Sequence, residues 1–305
     1  MCTSLAFKTN DFYFGRNMDL DYHFGEGITV TPRGYELTLR HEMPRRVKYA
    51  IVGMATVQDG YPLYAEGANE RGLCISALSF EGNAHYGEVK VGRINLASFE
   101  IIPFILSSCE SIEEARSYLK NIQITSTPFS EQIAPSPLHW HIADRNGSIV
   151  LESTSDGIKI YDNPYGALTN NPTFDFHLKN LSLYSHLKPE QPSDTAPSLG
   201  LSLLGLPGDF SSPSRLIRLV TLKRLVKCEN DEKSSLATLF RLMLSVAPMR
   251  GTTLTKKGRE HYTTYTCIIN ATRGIYYYTT PVSLEIKSLN LKDYAQNKSL
   301  FFLPL

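Results

Sequence analysis

The chain opens Met1-Cys2-Thr3-Ser4-Leu5-Ala6-Phe7-Lys8-Thr9-Asn10-Asp11-Phe12-Tyr13-Phe14-Gly15-Arg16-Asn17-Met18-Asp19. Cys2 to Thr9 alternates small, apolar and polar residues in the manner of a strand. Asn10-Asp11 is a turn signal, and Phe12 to Arg16 resumes as a second strand. A short hairpin of this kind returns its far end beside the terminus, where Arg16 and Asp19 meet Cys2. Cys is small enough for the initiator Met1 to be removed, and one residue then carries both a thiol and a free amine. A thiol ordinarily ionises near ~8.5 and an α-amine near ~7.7–8.0. The amine can therefore take the thiol's proton, directly or through water, and a single residue supplies nucleophile and base. A carboxylate beside the amine would hold it, and a guanidinium beside the sulfur would favour the thiolate. The bland alternative is an Arg–Asp pair at the surface.

Outward from this hairpin, Tyr49 to Val57 and Gly72 to Phe80 read as strands, and Leu96 to Cys109 as a buried apolar helix. Ser111 begins Ser-Ile-Glu-Glu, a capping box in which the serine oxygen satisfies a free helix N–H, with a helix following to Asn121. Leu138–Ala143 and Ser148–Ser153 form a hairpin, and Ile158–Tyr161 adds a strand. Ser212-Pro213 starts a helix to about Lys227, and Ser234 to Val246 is another. Tyr262–Asn270 and Ile275–Thr280 close the chain with a hairpin. Strands grouped in antiparallel runs, with helices in separate blocks, predict an α+β architecture, not a doubly wound parallel sheet. Ser185 to Pro207, rich in Pro, Ser and Gly, reads as a loop and not a domain linker, so residues 1–305 are expected to form a single domain.

Bulk properties narrow the function. With 305 residues, 31 basic and 30 acidic, the net charge is +1 and there is no basic stripe, which argues against a nucleic-acid partner. No run approaches the roughly 18 apolar residues of a membrane span, and the first residues have no secretory signal. Five widely spaced cysteines, odd in number and without a C-x-x-C pair, fit a reducing cytoplasm better than a disulfide framework. His139 and His141 alternate on one strand and share a face, but no third metal ligand accompanies them. Walker, dinucleotide and G-x-S-x-G motifs are missing.

Two further segments carry chemistry. Leu168-Thr169-Asn170-Asn171-Pro172-Thr173-Phe174 offers buried amides, natural oxyanion donors, although Asn-Pro also serves as a plain turn cap. Gly205-Leu206-Pro207-Gly208-Asp209-Phe210 leads into Ser214-Arg215, where an arginine in a first helical turn is ordinarily solvated.

Together these segments resemble the choloylglycine hydrolase family of bile salt hydrolases and penicillin V acylases. The matching stretches are Met1–Thr3, Phe14–Asp19, Tyr49–Met54, Asn69–Leu73, Pro137–Trp140, Leu168–Phe174, Leu206–Phe210 with Ser214-Arg215, and Gly274–Tyr278, in order over nearly the whole chain. The resemblance implies a four-layer αββα fold and hydrolysis of an amide between an acyl group and an amine. It puts the nucleophile on Cys2, its paired residues on Arg16 and Asp19, the active-site amide on Asn170 and a second arginine on Arg215. It implies an acyl pocket of Met18, Tyr64, Ala65, Phe129, Ile133 and Leu138, with Gln58 at a pocket position that relatives often fill with an aromatic residue. No metal or organic cofactor is implied. The partner is a small N-acyl amide, and the assembly a homo-oligomer, a tetramer in the family. Bile salt hydrolases usually carry Asn where this chain has Ser79, and the acylase branch often Tyr; Ser79 is thus a candidate oxyanion or substrate contact. The loop Leu187–Leu204 reads as shorter than the family's assembly loop. Conjugated bile salts are the favoured substrate. Penicillin V or another N-acyl amide, such as an acyl-homoserine lactone, is the alternative, and an inactive binding scaffold is the non-enzymatic one.

Overall fold

A computed structural model describes residues 1–191 and 200–305. The opening hairpin forms as read: strand Cys2–Lys8 pairs antiparallel with Phe12–Leu20, with Cys2 opposite Met18 and Ser4 opposite Arg16. Its period of two divides two cores. Cys2, Ala6, Phe12, Phe14 and Met18 face one side, and Leu5 and Tyr13 the other.

This hairpin lies inside a six-stranded antiparallel sheet. Ala167–Leu168 borders it on one edge. On the other side Tyr262–Asn270, Ile275–Thr280 and Ser283–Asn290 follow in turn. An eight-stranded antiparallel sheet stacks against it. Its order is Gly157–Asp162, Gly147–Thr154, Leu138–Asp144, Cys74–Ser79, Tyr61–Asn69, Ile51–Gln58, Gly27–Thr31 and Phe301–Pro304. The apolar faces of both sheets meet in one core, where Phe14 and Met18 pack with Val52, Met54 and Tyr265. Helices Ile101–Ser108 and Ile112–Leu119 cover the outer face of the larger sheet through Ile105, Leu106 and Trp140. Ser212–Leu225 and Glu232–Leu244 cover the smaller through Leu216, Leu239 and Met243. The architecture is α+β, an αββα sandwich of four layers.

One element read from the sequence needs correction. The apolar run Leu96 to Cys109 is not one helix. Ile94–Ala97 is a strand, Ser98–Glu100 a tight turn, and the helix covers only Ile101–Ser108. The buried Glu100 carboxylate caps the start of the helical segment: it accepts from the backbone of Ala97 and of Arg40, a distant segment. Helix Phe174–Ser182 and strands Gly27–Thr31, Tyr61–Asn69, Ser283–Asn290 and Phe301–Pro304 are among the elements that the sequence did not lead us to expect. The expected loop Leu187–Leu204 falls partly outside the described residues, at 192–199.

Candidate active site

The terminus, the bulged middle of a strand and two loop ends converge where the sheets meet. Arg16 points inward from its strand and is fully buried. Its Nη2 donates to Cys2 Sγ at 3.3 Å and reaches Met18 Sδ at 3.4 Å. Nη1 donates to the carbonyl of Ala65 at 2.7 Å. Ala65 is the extra residue of a β-bulge, since Met54 pairs with Glu66 but Ala55 with Tyr64. A bulge frees a carbonyl from the ladder and re-aims it. Burial works against the Arg16 charge, but Cys2 and Glu66 outweigh it and push the guanidinium further toward its protonated form.

Asp19 sits at the second bulge, between Thr263 and Tyr265. Its Oδ1 accepts from Thr263 Oγ1 at 2.6 Å. Its Oδ2 lies 3.8 Å from Arg215 Nη1 and has no hydrogen-bond partner among the described residues. Burial pushes its carboxyl up, against the pull of Arg215 and the terminal amine. In the translated chain that amine belongs to Met1, which donates to the Asp19 carbonyl at 2.9 Å and meets His261 Nε2 at 3.0 Å. Burial lowers its affinity for a proton.

Asn170 ties these parts together. Its Oδ1 accepts from Cys2 N at 2.7 Å and from Arg215 Nη2 at 2.8 Å, and its Nδ2 donates to the Ser79 carbonyl at 2.8 Å. Arg215 is not the solvated residue its position suggests: it is fully buried, and its Nη1 donates to the Cys2 carbonyl at 2.6 Å and to Thr3 Oγ1 at 2.5 Å. His139 Nε2 meets the Thr169 carbonyl at 2.8 Å and His177 Nε2 the Asn170 carbonyl at 2.8 Å, which fixes the loop from below. The two alternating histidines are spent on such contacts: His139 also faces Glu152, and His141 meets Ser4 and Ser148.

A cavity of about 450 Å³ opens onto Cys2, Arg16 and Met18. Tyr64, Ala65, Ser79, Phe129, Ile133 and Leu138 line it, all expected from the sequence. Leu20, Phe24, Leu63, Phe99 and Ile102 line it as well and were not read in advance. Gln58 is a correction. It ends strand Ile51–Gln58 beside the turn Asp59-Gly60, exposed and away from the cavity. A larger cleft, about 740 Å³, lies by Asp144–Ser148 and Lys223 and contains none of these site residues. Chemically, a thiol against a guanidinium, at the base of an apolar cavity and next to the chain's own amine, suits attack on a carbonyl carried by an apolar acyl group.

Comparison with known proteins agrees with this geometry. A family model described as linear amide C–N hydrolases, choloylglycine hydrolase family, matches residues 2–299. The bile salt hydrolase/transferase of Lactiplantibacillus plantarum is 37% identical over 314 residues, 100% of this chain and 97% of that protein. A mutant of the conjugated bile acid hydrolase from Clostridium perfringens superposes with a TM-score of 0.93 at 35% identity, covering 99% of this chain and 96% of that one. The penicillin V acylase of Agrobacterium tumefaciens shares the fold, with a TM-score of 0.79 at 20% identity over 97% of this chain and 88% of that one.

Proposed function

The chain belongs to the choloylglycine hydrolase family of linear amide C–N hydrolases, and from that membership we propose that it hydrolyses glycine- or taurine-conjugated bile salts through a thioester on Cys2. The observation that carries this reading is the apolar cavity whose base is the Cys2 sulfur. After loss of Met1, the Cys2 nitrogen becomes the terminal amine, held by Asn170 Oδ1. The amine takes the thiol proton, and the sulfur, steadied by Arg16, adds to the amide carbonyl. The oxyanion is met by Asn170 Nδ2–H and a backbone N–H. The ammonium then protonates the leaving nitrogen as the C–N bond breaks. Water adds to the thioester, its proton returns through the amine, and the acid and free thiol are released.

The substrate choice rests on two supports. The similarity to bile salt hydrolases runs over the full length at 37% identity. Ser79, where a tyrosine would fill the space beside the nucleophile, leaves room in the cavity for a sterol. The five cysteines are all free, as suits action in a reducing cytoplasm, and no helix among the described residues is long and apolar enough to cross a membrane. The test is a side-by-side rate measurement on glycocholate, taurocholate and penicillin V, using protein whose intact mass shows Met1 removed. The conjugated bile salts are expected to be cleaved faster. Rapid cleavage of penicillin V with both bile salts intact over hours would replace this reading by the acylase one.

A further inference from the structure

Glu66 has no part in the scheme above, yet it is fully buried directly behind Arg16. Its Oε2 lies 3.3 Å from Arg16 Nε and accepts from Tyr265 OH at 2.8 Å. Its Oε1 accepts from Tyr276 OH at 2.7 Å and faces Cys267 Sγ at 3.6 Å. Burial keeps both phenols and the Cys267 thiol protonated, so all three remain donors to this carboxylate. Burial also pushes the Glu66 carboxyl up, with Arg16 the largest opposing influence. The backbone makes room for the arrangement. A Cβ on Gly53, which pairs with Gly67, would stand 2.0 Å from the Glu66 carbonyl oxygen. Arg16 is therefore held from two sides: the Ala65 carbonyl accepts a hydrogen bond from Nη1, and the Glu66 carboxylate stands against Nε as an ion pair without a hydrogen bond to it, while Nη2 is turned to the sulfur.

We propose that Glu66 is a positioning residue for the reaction: it holds the guanidinium edge against the Cys2 sulfur and partly neutralises it, so that the sulfur meets a paired cation and not a free one. A free guanidinium at this distance would hold the thiolate so strongly that its attack on a carbonyl would weaken, since nucleophilicity falls as a thiol becomes more acidic. A purely structural ion pair in the same place would affect stability and leave the chemistry of the sulfur alone. The proposal rests on the reading that Arg16 acts on Cys2, but its first test needs no substrate.

That test is the pH profile of Cys2 alkylation by iodoacetamide in the mature protein. The other charged or titratable groups facing this region are the terminal amine, Asp19, Arg215, Tyr265, Tyr276 and Cys267, and all are left in place. Glu66→Gln keeps the shape and removes the charge. The pH of half-maximal alkylation is expected to fall by about one unit. Glu66→Asp keeps the charge but draws it back from Nε. Its profile should stay close to that of the parent, while kcat drops roughly ten- to a hundredfold at similar KM as Arg16 loses its hold. A Gln variant whose profile is unchanged or moves upward would overturn the proposal, and so would an Asp variant with parental kcat. Should the Gln variant fail to fold, the Asp variant decides by its kcat. If bile salts turn out not to be cleaved, the alkylation profiles still judge Glu66, and kcat is measured on penicillin V.

Discussion

One amide group at Asn170 serves three partners: Cys2 N and Arg215 Nη2 on its oxygen, and the Ser79 carbonyl on its nitrogen. An amide nitrogen carries two hydrogens, so one Nδ2–H remains for a developing oxyanion. Asn170→Ala is therefore expected to lower kcat by about 10²–10³ in steady-state assays, with a folded protein by circular dichroism. Normal turnover in that variant would remove Asn170 from the reaction. Ser79 contributes its carbonyl to this contact and lines the cavity. Ser79→Asn should add a donor there and raise kcat/KM for glycocholate by about 2- to 10-fold, the value of one net hydrogen bond. A variant no better than the parent would mean that position 79 does not touch the reacting amide.

The strand Leu138–Asp144 links the two sheets through one side chain. His141 Nδ1 meets Ser4 Oγ of the other sheet at 2.7 Å, and its Nε2 meets Ser148 Oγ at 2.6 Å. Burial, with lesser contributions from Lys223 and His139, lowers its affinity for a proton from 6.5 to about 3. The folded state thus keeps it neutral while the unfolded chain protonates it below about 6.5. The unfolded state binds more protons between those values, so this group's destabilising effect is absent above about pH 6.5 and grows as pH falls toward 3. The slope within that window approaches ~1.4 kcal/mol per pH unit. Thermal midpoints should fall from pH 7 to pH 4.5, and His141→Gln, which cannot take up the proton, should flatten part of that decline whatever it costs at pH 7. Parallel curves for the two proteins would assign the acid sensitivity elsewhere, for example to His177, which burial likewise lowers to about 4. The same elements show what sequence can reveal. Ser111 was legible as a cap because its oxygen and the N–H that donates to it are three residues apart, and Ser111 Oγ does accept from Glu114 N. The hairpins were legible because period-two patterning and a turn signal lie within one short window. Glu66 was not, because its phenol partners are 199 and 210 residues away and nothing beside it in Ala65-Glu66-Gly67 announces a buried pair. Gln58 was misplaced for a related reason: position along a strand does not say where the strand leaves the cavity.

The cavity draws on both sheets and on the segment 129–138, so that no single element owns the acyl site. Its specificity should therefore depend on the few positions where a side chain enters open space without supporting a core. Ala65 lies at the boundary between the two: it lines the cavity at the bulge, is only half-buried and touches the core between the sheets, and its backbone carbonyl continues to hold Arg16 whatever side chain it carries. Ala65→Trp is expected to fill part of the cavity, raising KM for a sterol-sized acyl group at least tenfold while moving the melting temperature by less than about 2 °C. Overpacking of a closed core would instead cost about 1–3 kcal/mol, which for a chain of this length is a loss of at least ~2 °C and commonly more. Gln58→Trp provides the contrast, since an exposed residue at a strand end outside the cavity should leave KM unchanged. Steady-state kinetics on glycocholate, paired with calorimetry of both variants, separates the two cases. If Ala65→Trp loses stability in proportion to its loss of affinity, residue 65 belongs to the packing between the sheets, and the acyl group must enter by another part of the rim. If KM rises alone, the wall at Ala65 is the surface that reads the acyl group, and the bulge that aims the Ala65 carbonyl at Arg16 also sets the width of the site.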